Sequence, residues 1–235
     1  MNSECKKGKR MDQPIRNVAI LIFDQVEVLD FCGPFEVFSV TGLKTDPRPF
    51  QVYTVAEKKK PILARNNLSV NPHYSFSEAP LPKILVIPGG LGTRRELNNP
   101  AMIEWIKDQA QKAELTLSVC TGALLLAKAG LLDGLKATTH HGAVGLLQEL
   151  APKTVIEPQK RFIDNGTIIV SAGISAGIDM SLYVVARLLG KSQALETAQY
   201  MEYDWHQDQS VSNVQKVEAI IRPLKSEPTS PHQVH

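Results

Sequence analysis

Cysteine is scarce in this sequence. The 235 residues include three cysteines, an odd number, and there is no Cys-x-x-Cys pair. This argues against a disulfide framework and favours a reducing compartment, so we expect a cytoplasmic protein. The six histidines show no metal-ligand spacing with the cysteines, and we therefore predict no metal site.

Long apolar runs and an excess of one charge are also missing. The first extended apolar run, residues 18–23, is too short to cross a membrane, and no apolar signal-peptide segment follows the basic start of the chain. The formal net charge is only +2, and no Lys/Arg-rich face is interleaved with aromatic residues. We therefore expect neither a membrane nor a nucleic acid as a partner.

The composition itself is that of a globular domain. Apolar residues make up 43% and charged residues 21%, which allows a sizeable core. The polar start predicts a flexible tail at residues 1–14, followed by one domain at residues 15–205. Residues 206–235 are expected to be a C-terminal extension, in which the amphipathic residues 211–221 could dock as one helix before a frayed end.

Apolar strands alternate with helices along the domain. Apolar or β-favouring runs predict strands at residues 17–23, 50–56, 83–87, 116–119, 136–140 and 154–157. Helices are predicted from residue 33 onward and at residues 99–112, 122–132, 141–150, 177–189 and 193–205. Hairpins are predicted within residues 61–75 and around the Asn-Gly pair at residues 165–166. This alternation predicts an α/β domain, a three-layer sandwich with a mainly parallel central sheet.

The pattern changes from strand to helix at Cys120. A side chain at such a turn is held at the end of the sheet, beside free backbone N–H groups and the positive end of the helix dipole. That environment favours the thiolate, the nucleophilic form of cysteine, so Cys120 is a candidate nucleophile. Gly122 lacks a side chain where the turn is crowded. The alternative is a buried cysteine that packs as a small hydrophobe.

Two other strands also end in chemically useful groups. Asp30 follows the first strand, and the pair Gly89-Gly90 follows the strand at residues 83–87. In an open parallel sheet, ligands bind outside the carboxyl ends of the strands. We therefore expect these groups to meet Cys120 at one edge of the sheet.

Asp30 is a candidate general acid or base. A carboxyl pressed against Leu29 and Phe31, and near a thiolate, should hold its proton more tightly than usual. Its alternative role is to cap the helix that starts near Pro34, and the two roles are compatible. Cys32, two residues further on, is predicted to be structural.

Backbone N–H groups and histidines complete the candidate site. The N–H groups of Gly89 and Gly90, with that of Thr121, would form a hole that stabilises negative charge developing on a substrate. The Thr121 hydroxyl could orient a substrate or water, or it could cap the helix. His140 and His141 are candidate remote bases, with ordinary packing as the alternative.

Five motifs, spread over residues 17–205, form a specific set. They are Leu29-Asp30-x-x-Gly33-Pro34-x-Glu36-Val37, Ile87-Pro88-Gly89-Gly90, Ser118-Val119-Cys120-Thr121-Gly122, Ala137-Thr138-Thr139-His140 and Gly173-Ile174-Ser175-Ala176-Gly177-Ile178-Asp179. The set resembles the ThiJ/PfpI superfamily, whose fold is class I glutamine amidotransferase-like (flavodoxin-like). Within it, the Cys-Thr-Gly elbow and the Leu-Asp ahead of Gly-Pro are similar to the isonitrile hydratase (cyclohexyl-isocyanide hydratase) branch.

The resemblance implies a homodimer, a six- or seven-stranded sheet and Cys120 on a nucleophile elbow, with Asp30 as its acid/base partner and Thr121 close by. Gly122, His140 and Gly173 join the glycine pair as expected oxyanion- or substrate-binding residues. Members of the protease-like branch carry histidine after the cysteine, so Thr121 argues against peptidase activity.

The implied activity is a cofactor-independent hydro-lyase reaction on a small molecule. An isonitrile would be hydrated to an N-substituted formamide through a thioimidate on Cys120, without a cofactor. Two alternatives stay open: glyoxalase- or deglycase-like dicarbonyl chemistry on the same cysteine, and redox or ligand sensing without catalysis. The elbow also resembles the ligand domains of certain transcription regulators, but about thirty residues follow Trp205, too few for their helix-turn-helix module.

Overall fold

A seven-stranded sheet forms the centre of the structure, a computed structural model that describes residues 14–205 and residue 207. The strands of the described chain are β1 (Arg16–Leu21), β2 (Phe50–Ala56), β3 (Ile62–Leu63), β4 (Ser69–Val70), β5 (Tyr74–Ser75), β6 (Ile84–Ile87), β7 (Leu115–Val119), β8 (Lys136–Ala137), β9 (Val155–Ile156), β10 (Phe162–Asp164) and β11 (Ile168–Ser171). The α-helices are α1 (Val28–Val40), α2 (Thr93–Glu96), α3 (Pro100–Lys112), α4 (Gly122–Lys128), α5 (Val144–Leu150), α6 (Ala176–Leu189) and α7 (Lys191–Tyr200).

The large sheet has the strand order β10-β11-β7-β6-β1-β2-β5. Every neighbouring pair is parallel except β10 and β11, which form an antiparallel hairpin. Helices α1, α6 and α7 pack together, and α2, α3 and α5 each pack against α4. The predicted three-layer α/β sandwich with a mainly parallel sheet is therefore confirmed.

The apolar runs of the sequence form the middle of this sheet. All residues of β6 and β7 are buried, as are the last four of β1. Strands covered on both faces read as continuous apolar runs because neither face meets water. Since β7, β6 and β1 are adjacent, the groups that follow them meet at one edge of the sheet, as predicted.

Local signals in the sequence placed several boundaries correctly. Asn99 caps α3 by accepting a hydrogen bond from the Met102 N–H, and Pro100 is the first residue of that helix. The Asn-Gly pair lies in the β10–β11 hairpin, where Gly166 has a φ of +92°. The smaller predicted hairpin is the antiparallel pair β3 and β4.

The predicted start of α1 is wrong. The helix begins at Val28, so Pro34 lies inside it and not at its first position. A tertiary contact sets the earlier start: the Glu27 N–H donates to the Gly89 carbonyl. As a consequence Asp30 lies in the first turn of α1, and the residue at the cap is Glu27.

Other boundaries also differ from the sequence predictions. The strand expected at residues 136–140 is only β8, which pairs with β9 in a separate small sheet. The α4 helix ends at Lys128, and helix α2 was not predicted. The predicted tail at residues 1–14 and the extension at residues 206–235 lie almost wholly outside the described residues. Within the described part of the chain, no helix has the length and hydropathy needed to span a membrane.

Candidate active site

Cys120 lies on a strained turn between β7 and α4. Its φ is +57°, a left-handed conformation that costs a non-glycine residue about 1–2 kcal/mol. Its N–H donates to the carbonyls of Ser171 and Ala172 at 3.2 Å, and its carbonyl accepts from the Thr139 hydroxyl at 2.7 Å. These bonds hold the backbone in the conformation that the sequence analysis described as a nucleophile elbow.

Gly122 allows the turn to pass close to the neighbouring strand. A Cβ added at this position would lie 2.0 Å from the Ile87 carbonyl oxygen, which is inside van der Waals contact. Only glycine therefore fits where the elbow crosses the end of β6. Gly122 acts through this close approach, which fixes the elbow.

Asp30 reaches the same point from α1. The residue is completely buried, and its Oδ2 accepts a 3.0 Å hydrogen bond from the Gly89 N–H. Its Oδ1 has no hydrogen-bond partner within the described chain, and Asp30 and Cys120 each shift the pKa of the other. The structure thus brings the predicted acid/base partner and the predicted nucleophile close enough to interact electrostatically.

The electrostatics of this pair are set mainly by burial. Burial raises the pKa of Asp30 to about 7, because the Gly89 N–H and the Cys120 thiol offset only part of the lost hydration. The prediction that Asp30 holds its proton more tightly is confirmed. Burial and the Asp30 carboxylate also raise the pKa of the Cys120 thiol. The prediction that the elbow favours a thiolate is therefore wrong: contacts with Thr121 lower this pKa, but by less.

The glycine pair does not form the predicted oxyanion hole. The Gly89 N–H is bonded to Asp30, and the Gly90 N–H donates a 2.9 Å hydrogen bond to the Thr121 hydroxyl. Both donors are therefore used inside the protein. They position the acid and the threonine.

Thr121 connects the elbow to the turn after β6. Besides accepting from Gly90, its hydroxyl lies 3.3 Å from the Thr93 hydroxyl, which in turn donates to the Gly90 carbonyl. The side chain makes no capping hydrogen bond to α4, so the helix-capping alternative is wrong. Thr121 therefore joins two strand ends in one buried network.

Gly173 lies against both the Cys120 sulfur and the His140 ring. A Cβ added at Gly173 would be 3.0 Å from the Cys120 sulfur and 2.7 Å from Cδ2 of His140. Both residues border a cavity of about 220 Å³. The remaining lining residues are Thr139, His141, Pro158, Ala172 and Ile174. The structure therefore gathers Gly173 and His140, two of the predicted substrate-binding residues, beside the nucleophile.

His140 is held in one tautomer. Its Nδ1 accepts a hydrogen bond from the Gly142 N–H at 3.2 Å, so Nε2 carries the ring proton. Burial, His141 and Arg94 lower the pKa of His140, which keeps the ring neutral near pH 7. A neutral ring with Nε2–H is suited to donate a hydrogen bond.

Sequence reasoning missed Thr93 and Thr139. Thr93 belongs to the unpredicted helix α2, and Thr139 was quoted in a motif without being given a role. The Thr93 hydroxyl reaches Thr121 and the Thr139 hydroxyl reaches Cys120, both distant in sequence, and no local pattern signals such bonds. In the described residues, no group of three or more His, Cys, Asp or Glu side chains is arranged to hold a metal ion.

An elbow cysteine, a buried acid and a Gly-Gly turn thus lie together at one edge of the sheet. Residues 16–187 match the sequence profile of the DJ-1/PfpI family. The chain belongs to this family. The resemblance to the ThiJ/PfpI superfamily is thereby confirmed.

Proteins similar to this chain carry names that refer to different functions. Isonitrile hydratase of Pseudomonas putida is 33% identical over 79% of this chain and 78% of its own length. Protein DJ-1alpha of Drosophila melanogaster is 28% identical over 84% of this chain and 88% of its own. The HTH-type transcriptional regulator CdhR of Pseudomonas aeruginosa is 29% identical over 69% of this chain, which spans about half of that regulator.

Solved structures of other proteins share the fold. A ThiJ/PfpI family protein from Pseudomonas syringae superposes with a TM-score of 0.76 at 24% identity, covering 95% of this chain and 92% of that one. An AraC family transcriptional regulator from Pseudomonas putida gives a TM-score of 0.70 at 23% identity, covering 80% and 100%. Proteins named for different functions thus share one architecture.

Proposed function

We propose that this protein hydrates isonitriles to N-substituted formamides, with Cys120 as nucleophile and Asp30 as the group that moves protons. The observation that carries the proposal is that these two side chains are buried together and interact electrostatically. With a pKa of about 7, the Asp30 carboxyl can both accept and donate a proton near neutral pH. The similarity to isonitrile hydratase supports the substrate class.

The first stage forms a thioimidate. The Asp30 carboxylate takes the proton of the Cys120 thiol, and the sulfur bonds to the terminal carbon of the isonitrile. Asp30 then gives the proton to that same carbon. This order suits a thiol whose pKa is raised, because the sulfur loses its proton only as the new bond forms.

The second stage adds water and releases the product. Asp30 accepts a proton from a water molecule whose oxygen bonds to the thioimidate carbon, and the proton passes to the nitrogen. The C–S bond then breaks as the hydroxyl proton returns to the sulfur through Asp30, which releases the formamide. The sum is one isonitrile and one water converted to one formamide, and no cofactor takes part.

The site offers less support to redox sensing. A redox-sensing cysteine is typically accessible and has a low pKa. Cys120 is only 5% exposed, and burial raises its pKa. We propose that the protein acts on a small molecule as a cytoplasmic homodimer, with no nucleic acid or membrane partner.

A substrate panel tests the proposal. Wild-type protein, Cys120→Ala and the control Cys32→Ala are incubated with cyclohexyl isocyanide, a linear alkyl isonitrile and methylglyoxal, and formamide and lactate are measured by proton NMR. Cys32 is a matched control because it is a second free cysteine, half-buried on α1. We expect formamide from wild type and Cys32→Ala and none from Cys120→Ala. Lactate without formamide would replace the proposal with dicarbonyl chemistry, and inactivity of wild type on the whole panel would refute catalysis of either kind.

A further inference from the structure

Residues 172–175, here called the wall segment, form one side of the reaction centre. The segment joins β11 to α6 and contains Gly173, the residue packed against the Cys120 sulfur. Its position therefore sets how much room the sulfur and a bound substrate have. A shift of a few tenths of an ångström here would alter the contact directly.

Arg161 contacts the wall segment on both sides of Gly173. Its carbonyl accepts a 2.9 Å hydrogen bond from the Ala172 N–H, and its Nη2 donates at 3.3 Å to the Ser175 hydroxyl. One residue thus fixes both ends of the wall segment. Arg161 precedes β10 and is itself 9% exposed, and the sequence analysis gave it no role.

The guanidinium of Arg161 is held in place by two further side chains. Asp179 of α6 is completely buried and forms an ion pair with Nε and Nη2 of Arg161. The Tyr203 hydroxyl, beyond the end of α7, donates to the Asp179 carboxylate at 3.2 Å. Charge-assisted bonds in a buried setting restrict the arginine to one geometry.

We propose that Arg161, fixed by Asp179 and Tyr203, is a positioning residue that holds the wall segment at the distance from the Cys120 sulfur that the reaction requires. The proposal rests on the proposed function, in which this sulfur attacks the substrate. A supporting residue of this kind acts by keeping reacting atoms in a productive geometry, and small displacements are costly in rate.

A second trio in the same part of the fold provides a matched control. Asp164 of β10 accepts from the Tyr183 hydroxyl at 2.8 Å and from Arg187 Nη1 at 3.0 Å. This trio also joins the β10–β11 hairpin to α6 and contains the same three residue types. Its hydrogen bonds reach Gly166 at the hairpin turn and do not involve the wall segment.

The test uses variants that change the contact without leaving a buried charge unpaired. Ser175→Ala removes the hydroxyl that accepts from Arg161 Nη2 and leaves the ion pair with Asp179 in place. Arg161→Lys keeps the positive charge, and Ser175→Thr retains a hydroxyl. Tyr183→Phe is the control. For each protein, the alkylation rate of the Cys120 peptide by iodoacetamide is followed by mass spectrometry from pH 6 to pH 10, and kcat and KM are measured with cyclohexyl isocyanide.

We expect the two readouts to move in opposite directions. A loosened wall segment admits water to the sulfur, so Ser175→Ala and Arg161→Lys should alkylate about tenfold faster at pH 7, with the pH midpoint lowered. Their kcat for hydration should fall about tenfold, with KM within about a factor of two of wild type. Ser175→Thr should recover both values, and Tyr183→Phe should match wild type.

Other outcomes overturn the inference. Wild-type alkylation and kcat in both Ser175→Ala and Arg161→Lys would show that the contact positions nothing. If Ser175→Ala and Arg161→Lys have a lower melting temperature but an unchanged alkylation midpoint, Arg161 has only a structural role in its ion pair. The same conclusion follows if Tyr183→Phe changes as much as they do. If wild type lacks hydratase activity but the alkylation shifts occur, the proposed function fails while the positioning role stands.

Discussion

The Gly89 N–H binds Oδ2 of the Asp30 carboxyl and leaves the buried Oδ1 without a hydrogen-bond partner within the described chain, beside a cysteine thiol, that of Cys120, whose pKa Asp30 raises. The hydrogen bond is 3.0 Å long and joins the end of β6 to the first turn of α1. It fixes the orientation of a carboxyl that burial alone would drive toward the neutral form. The acid is thus held beside the sulfur in a state from which it can gain or lose a proton.

Replacement of Asp30 by Asn tests the acid/base role. In wild type, kcat/KM for isonitrile hydration should rise with pH through about 7, because the carboxylate form accepts the thiol proton. Asp30→Asn keeps the acceptor for Gly89 but cannot carry a proton, so we expect a loss of at least about 10²-fold and no inflection near pH 7. Initial rates from pH 5 to pH 9 provide the measurement, and an Asn variant with the wild-type inflection would contradict it.

The same substitution should change the pH dependence of stability. The pKa of Asp30 is about 7 in the folded state against an ordinary value of 3.8, so between these pH values the folded state binds the extra proton. The free energy of unfolding should therefore fall by up to about 4 kcal/mol from this group as pH rises from 4 to 8. Asp30→Asn removes this loss and should be more stable than wild type at pH 8 but not at pH 4. Urea titrations at both pH values decide the point, and parallel curves for the two proteins would count against it.

Thr121→Val should destabilise the protein even though the two side chains have similar shapes. The valine leaves the buried Gly90 N–H without its acceptor, which costs about 1–3 kcal/mol. Thr121→Ser keeps the hydroxyl and serves as the control, with a smaller loss. Chemical denaturation of the three proteins gives the free energies of unfolding. Equal stability of the valine and serine variants would show that the hydroxyl network adds nothing.

Gly173→Ala should damage the site more than the fold. The new methyl group would lie 3.0 Å from the Cys120 sulfur, so either the wall segment or the sulfur must move. We expect kcat to fall by about 10²-fold. Gly145→Ala in α5 is the control, because no heavy atom lies within 4 Å of its added Cβ, and it should stabilise the helix by about 0.5–1 kcal/mol. Steady-state kinetics and thermal melts of both variants test this, and a Gly173→Ala enzyme with wild-type kcat would show that the contact is unimportant.

Cys120→Gly should be more stable than Cys120→Ala. Both variants lack the thiol, but only alanine retains the strain of a φ of +57°. We expect a difference of about 1 kcal/mol in the free energy of unfolding, after allowance for the more flexible unfolded glycine chain. Neither variant should hydrate isonitriles. An alanine variant as stable as the glycine variant would mean that the elbow stores no strain.

The sequence was sufficient to predict the sheet and the meeting of three strand ends. Continuous apolar runs mark β6 and β7 because both faces are buried, and parallel strands bring Asp30, Gly89 and Cys120 to one edge. The same pattern could not give the start of α1. That start is set by a hydrogen bond from Glu27 to Gly89, a contact between residues far apart in the chain.

Sequence patterns also could not predict the protonation state of the site. An elbow beside a helix start predicted a thiolate, whereas the depth of burial and the nearby Asp30 raise the pKa of the thiol. The buried Arg161–Asp179 pair gave no signal, because arginine and aspartate in isolation read as surface residues. Both features depend on which side chains come together in three dimensions.

The pairing of β11 with β7 fixes the position of the nucleophile, whereas the cavity residues lie on chain outside this pairing. Ser171 is in register with Val119, so Cys120 and Ala172 follow as the next positions of two adjacent strands. The chain between β7 and β11 includes His140 and Pro158, and it leaves β7 and returns to pair with it as β11. Insertions or exchanges in that excursion that spare Thr139 and Arg161 can reshape the cavity while the nucleophile and its backbone anchors keep their spacing. Such an arrangement lets descendants of one ancestral protein acquire new ligands without rebuilding the reactive centre.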